Sequence, residues 1–260
     1  MATSLALNDL EETADRLGAN LMDRARSDSG CGQATSFAAP AGIGVTATFC
    51  PGQTIVIEGD PITHYFRIVS GTVRLYKAIA DGRRQVIDFL DAGSCFGLTG
   101  LAHHSYTAEA VSPVTLIRYP RQTLEAAIDT DPELARSLFR LACTELGRAQ
   151  TQMLLLGRKS ADEKIASFLL ALAERARDEH RPAYVVHVPM SRQDMADYLG
   201  LTIETVSRTL SRFRRDGLIG LEGRQQVELR QLARLEALAD GEEVETRPFQ
   251  LRLEVEPLQA

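Results

Sequence analysis

No apolar run in the 260 residues approaches the roughly 18 that a membrane-crossing helix needs, so no membrane partner is expected. The N-terminus lacks a basic segment followed by an apolar core. No secretory signal is visible, and the expected location is the cytoplasm. Cysteine is sparse: Cys31, Cys50, Cys95 and Cys143 are scattered, and no two make a CxxC pair. That scatter argues against a disulfide framework, a clustered zinc site and an iron–sulfur centre. The four are expected to be small buried or partly buried apolar groups, unless exposure and pKa make one a redox thiol. An excess of positive charge is also missing. Lys and Arg number 29 against 35 Asp and Glu, a net charge of −6. An anionic partner would have to meet a local basic surface on an acidic body.

What is present falls into blocks, and the length suffices for two modest domains. Residues 1–40 carry no sustained pattern. A short helix near Leu10–Met22 gives way to a Ser/Gly/Ala-rich stretch ending at Pro40, which reads as a poorly ordered arm. From 41 to 130 the chain turns to short strands punctuated by glycine. Cys50-Pro51-Gly52 and Glu58-Gly59-Asp60 flank Thr54–Ile57, and Ser70-Gly71 joins Tyr65–Val69 to Val73–Tyr76. Asp81-Gly82 is the strongest hairpin turn, before Val86–Leu90. Ala108–Tyr119 closes the series, and this spacing argues for an antiparallel barrel or jelly roll. Adjacent His103 and His104 would point to opposite faces of a strand, which suits shared ligation poorly. The His-x-His with a later glutamate of a cupin-type metal site is absent. Both histidines are expected in an exposed loop, with no metal and no cofactor.

Asp131-Pro132 opens a long helix over 131–157, Asp as N-cap and Pro in the first turn. Along it Phe139, Ala142, Leu146, Ala149, Met153 and Leu156 recur at spacings of three and four. This is a coiled-coil seam over more than two heptads, unless it is only intramolecular core. Leu138, Leu141, Leu154 and Leu155 flank it and are expected to face the strands. Gly157-Arg158-Lys159 ends the pattern, and Ser160 with Glu163 caps a new helix striped by Ile165, Phe168, Leu169 and Leu172. The last domain is assigned to 158–235. An acidic tail, 236–260, has no assigned role.

Within that last domain, Ser191 to Arg224 reads as two helices around a tight turn, then a hairpin. Ser191 is an N-cap with Asp194 three residues on, Ala196 is small where helices cross, and Gly200 suits a turn of positive φ. In the second helix Val206, Leu210 and Phe213 form an inward stripe. The outward face carries Glu204, Ser207, Arg208, Ser211 and Arg212, with Arg214 and Arg215 at its end; Thr202 and Thr205 flank its start. Leu218-Ile219, a Gly220/Gly223 turn and Val227/Leu229 make a wing, beside a strand at Tyr184–Pro189. This pattern is a winged helix-turn-helix, whose second helix enters the major groove of double-stranded DNA. Arginine can donate twice to guanine, glutamate can accept from cytosine, serine is less selective, and the later arginines suit phosphates. Alternatively, Glu204 and Arg208, four apart, pair with each other at a solvated surface.

These stretches carry a resemblance. PGQTIVIEGD, YFRIVSGTVRLY, the DGRRQ hairpin and FLDAGSCFG resemble the effector-domain β-roll of the CRP/FNR regulators. Glu204-Thr205-Val206-Ser207-Arg208 and MLLLGRKSADEKIASFLLAL resemble the FNR/FixK-type branch, and the likeness spans 45 to about 235. It implies an α+β fold: an N-terminal cyclic-nucleotide-binding-like β-roll (jelly roll), a long dimerisation helix and a C-terminal winged helix-turn-helix. Where cyclic-nucleotide binders hold a Gly-Glu pair and an Arg-Ser/Thr pair, this chain reads GLTGLAHHSYTAEAV, with Leu98 in the glutamate's place and no arginine. Nucleotide binding is therefore not carried over, nor is an iron–sulfur cluster, since only Cys31 lies in the arm. The resemblance implies a homodimeric regulator, not an enzyme, that acts with RNA polymerase at an inverted repeat of the type TTGAT-N4-ATCAA. In that reading Arg208 reads guanine, Glu204 the paired cytosine and Ser207 a neighbouring A·T pair. Oxygen-limitation, denitrification or nitrogen-fixation circuits are the implied setting. The competing expectations are a haem-, nitric oxide- or nucleotide-gated sensor of the same fold and a metal-dependent cupin-like enzyme.

Overall fold

The structure is a computed structural model and describes residues 42–79, 82–178, 184–223 and 225–242. The expected helix near 10–22, Cys31, Asp81 and the tail beyond 242 lie outside the described residues. Eight strands come first among those described: β1 Val45–Phe49, β2 Thr54–Val56, β3 His64–Ser70, β4 Val73–Ala78, β5 Arg84–Leu90, β6 Cys95–Phe96, β7 Thr107–Ala110 and β8 Val114–Pro120. They make two antiparallel four-stranded sheets, ordered β1-β8-β3-β6 and β2-β7-β4-β5. The two sheets share an apolar core that includes Phe66, Ile68 and Leu116 from one and Val73, Leu75 and Ala108 from the other. This is the expected jelly roll, with one strand divided. The run 108–119 breaks at Val111–Pro113 and its halves lie in different sheets. Proline has no N–H to give a ladder there, and Gly71 approaches so closely that a Cβ on it would sit 2.1 Å from the Pro113 carbonyl oxygen.

Helix α1, Arg121–Thr130, was not expected from the sequence; it leads straight into α2, Pro132–Arg158. The Asp131 carboxylate separates them by accepting from the Glu133 and Leu134 N–H groups at 2.9 and 3.1 Å. Leu134 and Leu141 of α2 pack with Leu124 and with Tyr65 and Tyr119 of the roll, and Leu155 joins the C-terminal core. Leu154, expected to face the strands, is instead 65 % exposed. Leu155 takes the core position, and Leu154, turned about 100° from it around the helix, falls on the open side.

The remainder is α3 Ala161–Asp178, β9 Val185–His187, α4 Arg192–Leu199, α5 Ile203–Arg215, β10 Ile219–Glu222, β11 Gln226–Leu229 and α6 Leu232–Ala239. The stripe Ile165, Phe168, Leu169 and Leu172 of α3 is buried as expected. The core around it does not stop at the domain boundary: Val86 and Phe89 of β5 belong to the same apolar cluster as Met195, Leu199 and Val206. Sheet β2-β7-β4-β5 thus buries both faces, one in the roll and the other against the C-terminal helices.

Arg175 of α3 fastens this second face. Its guanidinium donates to the Phe89 carbonyl at 2.9 Å and to Asp91 at 3.2 Å, with Asp88 3.8 Å away. Burial raises the Asp88 carboxyl from 3.8 to about 6, although Arg175 and the Phe89 N–H pull the other way. The folded chain therefore holds this proton more tightly than the unfolded chain. Asp88 lowers stability progressively as pH rises from about 4 to 6, and the penalty stays constant above that. Asp88→Asn is expected to gain stability at pH 7.5, by up to about 3 kcal/mol. The gain should shrink as pH falls through 6 towards 4, as paired thermal melts across that range would register.

Candidate nucleic-acid interface

Two capped helices and one glycine build the reading head. Ser191 Oγ accepts the Asp194 N–H at 3.1 Å while Asp194 Oδ2 accepts the Ser191 N–H at 3.0 Å, so α4 starts on a complete capping box. Gly200 ends α4 in the left-handed region at φ 62°, where a Cβ is disfavoured. Thr202 then caps α5, its hydroxyl accepting the Thr205 N–H at 3.2 Å. Ala196 is buried at the crossing, and Val206, Thr209, Leu210 and Phe213 are the inward face of α5. Strands β10 and β11 pair as the wing, and β9 lies beside β11 as expected for Tyr184–Pro189.

Glu204, Ser207, Arg208, Ser211, Arg214 and Arg215 are exposed on the outward face of α5, and Thr205 is half-buried. Glu204 is held below the usual carboxylate range by its own backbone N–H, by the Thr202 hydroxyl and, least, by the charge of Arg208. An acid in the first turn also suits the helix dipole. No ion pair joins Glu204 to Arg208 among the described residues, so the alternative of a mutually neutralised pair does not hold in this conformation. Ser211 donates to the Ser207 carbonyl at 2.8 Å. Arg212 stands apart from its neighbours: its guanidinium pairs with Asp162 of α3, which also accepts from Thr209 at 3.4 Å. It fastens α5 to the body rather than standing free. Two features escaped the sequence reading. Ile203, the first residue of α5, is exposed beside Glu204, and the signal was an apolar residue directly after the Thr202 cap. The second is a set of ion pairs that reaches α4 from the roll, which no local pattern announces.

The seam of α2 is bare in the single chain. Phe139 is 70 %, Leu146 60 % and Met153 70 % exposed, and Ala142, Ala149 and Leu156 are exposed with them. All six sequence-selected positions share one unpartnered stripe, while Leu141 and Leu155 hold the opposite side in the core. Two other expectations need correction. Cys50 and Cys143 are exposed rather than buried, lying beside a turn and on the solvent side of α2; of the described cysteines Cys95 is the partly buried one, and burial pushes its thiol up to about 12. His103 is exposed, but His104 is buried among Phe66 and Tyr106, and burial lowers its pKa. The opposite-face rule for neighbouring residues explains the split.

Residues 46–131 match the family described as "Cyclic nucleotide-binding domain" and residues 163–238 the "Crp-like helix-turn-helix domain". The nitrogen fixation regulation protein FixK of Bradyrhizobium diazoefficiens is 41 % identical over 197 residues, which is 76 % of this chain and 83 % of that protein. FixK of Azorhizobium caulinodans is 43 % identical over 76 % of this chain and 80 % of its own. This chain belongs to the Crp/Fnr family of transcription regulators. The solved structure of FixK2 from Bradyrhizobium japonicum, 39 % identical, overlays with a TM-score of 0.71 and covers 75 % of this chain and 97 % of that one. A Crp/Fnr regulator carries a DNA-binding head and is not an enzyme, which removes the cupin-like alternative.

Its roll, however, does not fit a cyclic nucleotide. Leu98 packs in the apolar cluster with Ile62, Tyr65 and Tyr119. The Gly97 N–H, a natural donor to a ligand, already donates to the Tyr106 hydroxyl at 2.9 Å. The Phe66 and Phe96 rings stack at 4.7 Å inside the roll, and residues 97–107 hold no arginine or lysine. A buried phosphate needs a cationic partner, and this segment has none. Among the described residues no cluster of His, Cys, Asp or Glu could hold a metal ion, and no helix is long and apolar enough to cross a membrane.

Proposed function

We propose that this chain works as a homodimeric activator that reads an inverted repeat of the type TTGAT-N4-ATCAA and engages RNA polymerase, in oxygen-limitation or nitrogen-metabolism control. The observation that carries the reading is the outward face of α5, where Glu204, Ser207 and Arg208 are exposed and Arg208 forms no ion pair among the described residues. A guanidinium so disposed can donate both its hydrogen bonds to guanine O6 and N7, and the ionised Glu204 one turn earlier can accept from the paired cytosine N4. Ser207 lies between them, and the exposed Ile203 offers an apolar contact to a thymine methyl. Thr202, Thr205 and Ser211 serve as backbone or phosphate contacts, Arg214 and Arg215 as phosphate contacts. Arg212 contributes by holding α5 through Asp162.

The exposed apolar stripe of α2 supports the homodimer, whose two-fold axis would present two reading helices to half-sites one helical turn apart. The names of the relatives, nitrogen fixation regulation proteins and transcriptional activators such as FnrL of Cereibacter sphaeroides, support the regulatory setting. Residues 97–107 offer no cation to a phosphate, and the dimer is expected to bind DNA without a nucleotide.

Fluorescence anisotropy of the purified chain, in air and without ligand, on TTGAT-N4-ATCAA against a scrambled duplex at equal salt is the direct test. Selective binding is expected at once. Binding only after reduction, or after adding haem, nitric oxide or a nucleotide, would reinstate a gated roll, and no selectivity under any condition would sink the base-reading roles.

A further inference from the structure

We propose that Arg74 and Arg84 of the roll are positioning residues for DNA recognition, locking α4 of the reading head to the outer face of sheet β2-β7-β4-β5. The inference rests on the DNA-reading assignment above. Arg74 Nη1 donates to Asp194 Oδ1 at 2.6 Å and Arg74 Nη2 to Glu109 at 2.6 Å. Arg84 Nη2 donates to the same Asp194 Oδ1 at 2.5 Å, and Arg84 Nε to Asp197 Oδ2 at 2.6 Å. Both guanidinium carbons lie 5.8 Å from the centre of the Tyr76 ring. Asp194 is 3 % exposed. Its other oxygen is taken by the Ser191 N–H and hydroxyl, so this carboxylate caps α4 and anchors it to the roll at once.

The rest of α4 is held from two further directions. Gln152 of α2 donates to the Tyr198 carbonyl at 3.1 Å. The Tyr198 ring sits between Phe89 of β5 and Phe168 of α3, at 5.3 and 5.7 Å. These contacts use the N-terminal turn and inner side of α4, whereas Glu204 and Arg208 on α5 stay open to solvent. The lock therefore does not cover the reading face; it sets where that face points relative to α2. In a dimer built on α2, the angle and separation of two reading helices are fixed through this joint. A fork of fixed geometry suits the task better than a flexible lysine, because each arginine bridges two carboxylates.

Spacer length reads that geometry, because each added base pair turns one half-site by about 35° relative to the other. The full chain and its Arg84→Met, Arg84→Lys and Asp197→Asn variants would be compared on duplexes with N3, N4, N5 and N6 spacers and on a single half-site. Hydrogen exchange of residues 194–199 would be followed in parallel. The wild type is expected to lose at least about 30-fold in affinity when the spacer departs from N4. Arg84→Met and Asp197→Asn should discriminate spacers by less than about 3-fold, keep single half-site affinity and exchange α4 amides at least about 10-fold faster. Arg84→Lys should fall between. Retained spacer discrimination, equal loss on every duplex including the half-site, or tighter binding by Arg84→Met would overturn the proposal. So would unchanged exchange. A wild type that selects no TTGAT site overturns the DNA-reading assignment instead, and the lock on α4 is then decided by the exchange rates alone.

Discussion

Met153→Glu is expected to abolish stable dimers and, with them, to weaken binding to the two-half-site duplex by roughly 100- to 10,000-fold. Met153 is 70 % exposed in the single chain and lies in line with Phe139, Leu146 and the two small residues Ala142 and Ala149. In a parallel pair of α2 helices the substitution buries two carboxylates against each other, each desolvated and without a cation. The folded monomer should be unaffected, because Met153 takes no part in the core. Sedimentation gives the assembly state and anisotropy the affinity. The linkage is the informative part: binding the second half-site is intramolecular only while the two heads are joined. An unchanged dimer would remove the seam from the functional account, and a monomer with undiminished affinity for the full site would separate recognition from dimerisation.

Arg208→Ala should act on recognition alone. Among the described residues its guanidinium pairs with no carboxylate and the side chain is exposed, so removing it strands no buried charge, and the melting temperature should not move. Discrimination at the guanine position is expected to fall by about 1–3 kcal/mol per half-site. Measured against duplexes with that guanine replaced, the wild type should distinguish them sharply and the variant hardly at all. Equal loss on specific and random DNA would instead mark Arg208 as a phosphate contact. Arg212→Ala offers the contrast, since it breaks the pair with Asp162 and releases α5 from α3.

Much of this arrangement was legible because it is written locally. Caps such as Asp131, Ser191 and Thr202 and the turn at Gly200 announce helix boundaries within four residues of sequence, and the inward stripes of α3 and α5 follow helical periodicity. The apolar stripe that α2 leaves exposed was readable for the same reason. What stayed hidden depends on residues distant in sequence. Nothing near Arg74 or Arg84 points to carboxylates more than 100 positions on, and nothing near Arg212 points back to Asp162. Helix α1 was missed because its apolar positions are few and lie next to a stronger helix signal at Asp131. His104 and the exposed cysteines were misjudged because burial at a loop or on a lone helix is decided by what packs over it.

The shared use of Asp194 has a consequence for how such proteins can diverge. A reading head is commonly pictured as a cassette that recombination could move from one sensor to another at the connecting helix. Here a crossover anywhere between 110 and 190 would part Asp194 from Arg74 and Arg84, placing a buried carboxylate against whatever the new roll presents. The head would have to be inherited with its own β4–β5 hairpin or else with a compensating change on the opposite side of the joint. Selection on the reading head would thus reach into strands of the roll.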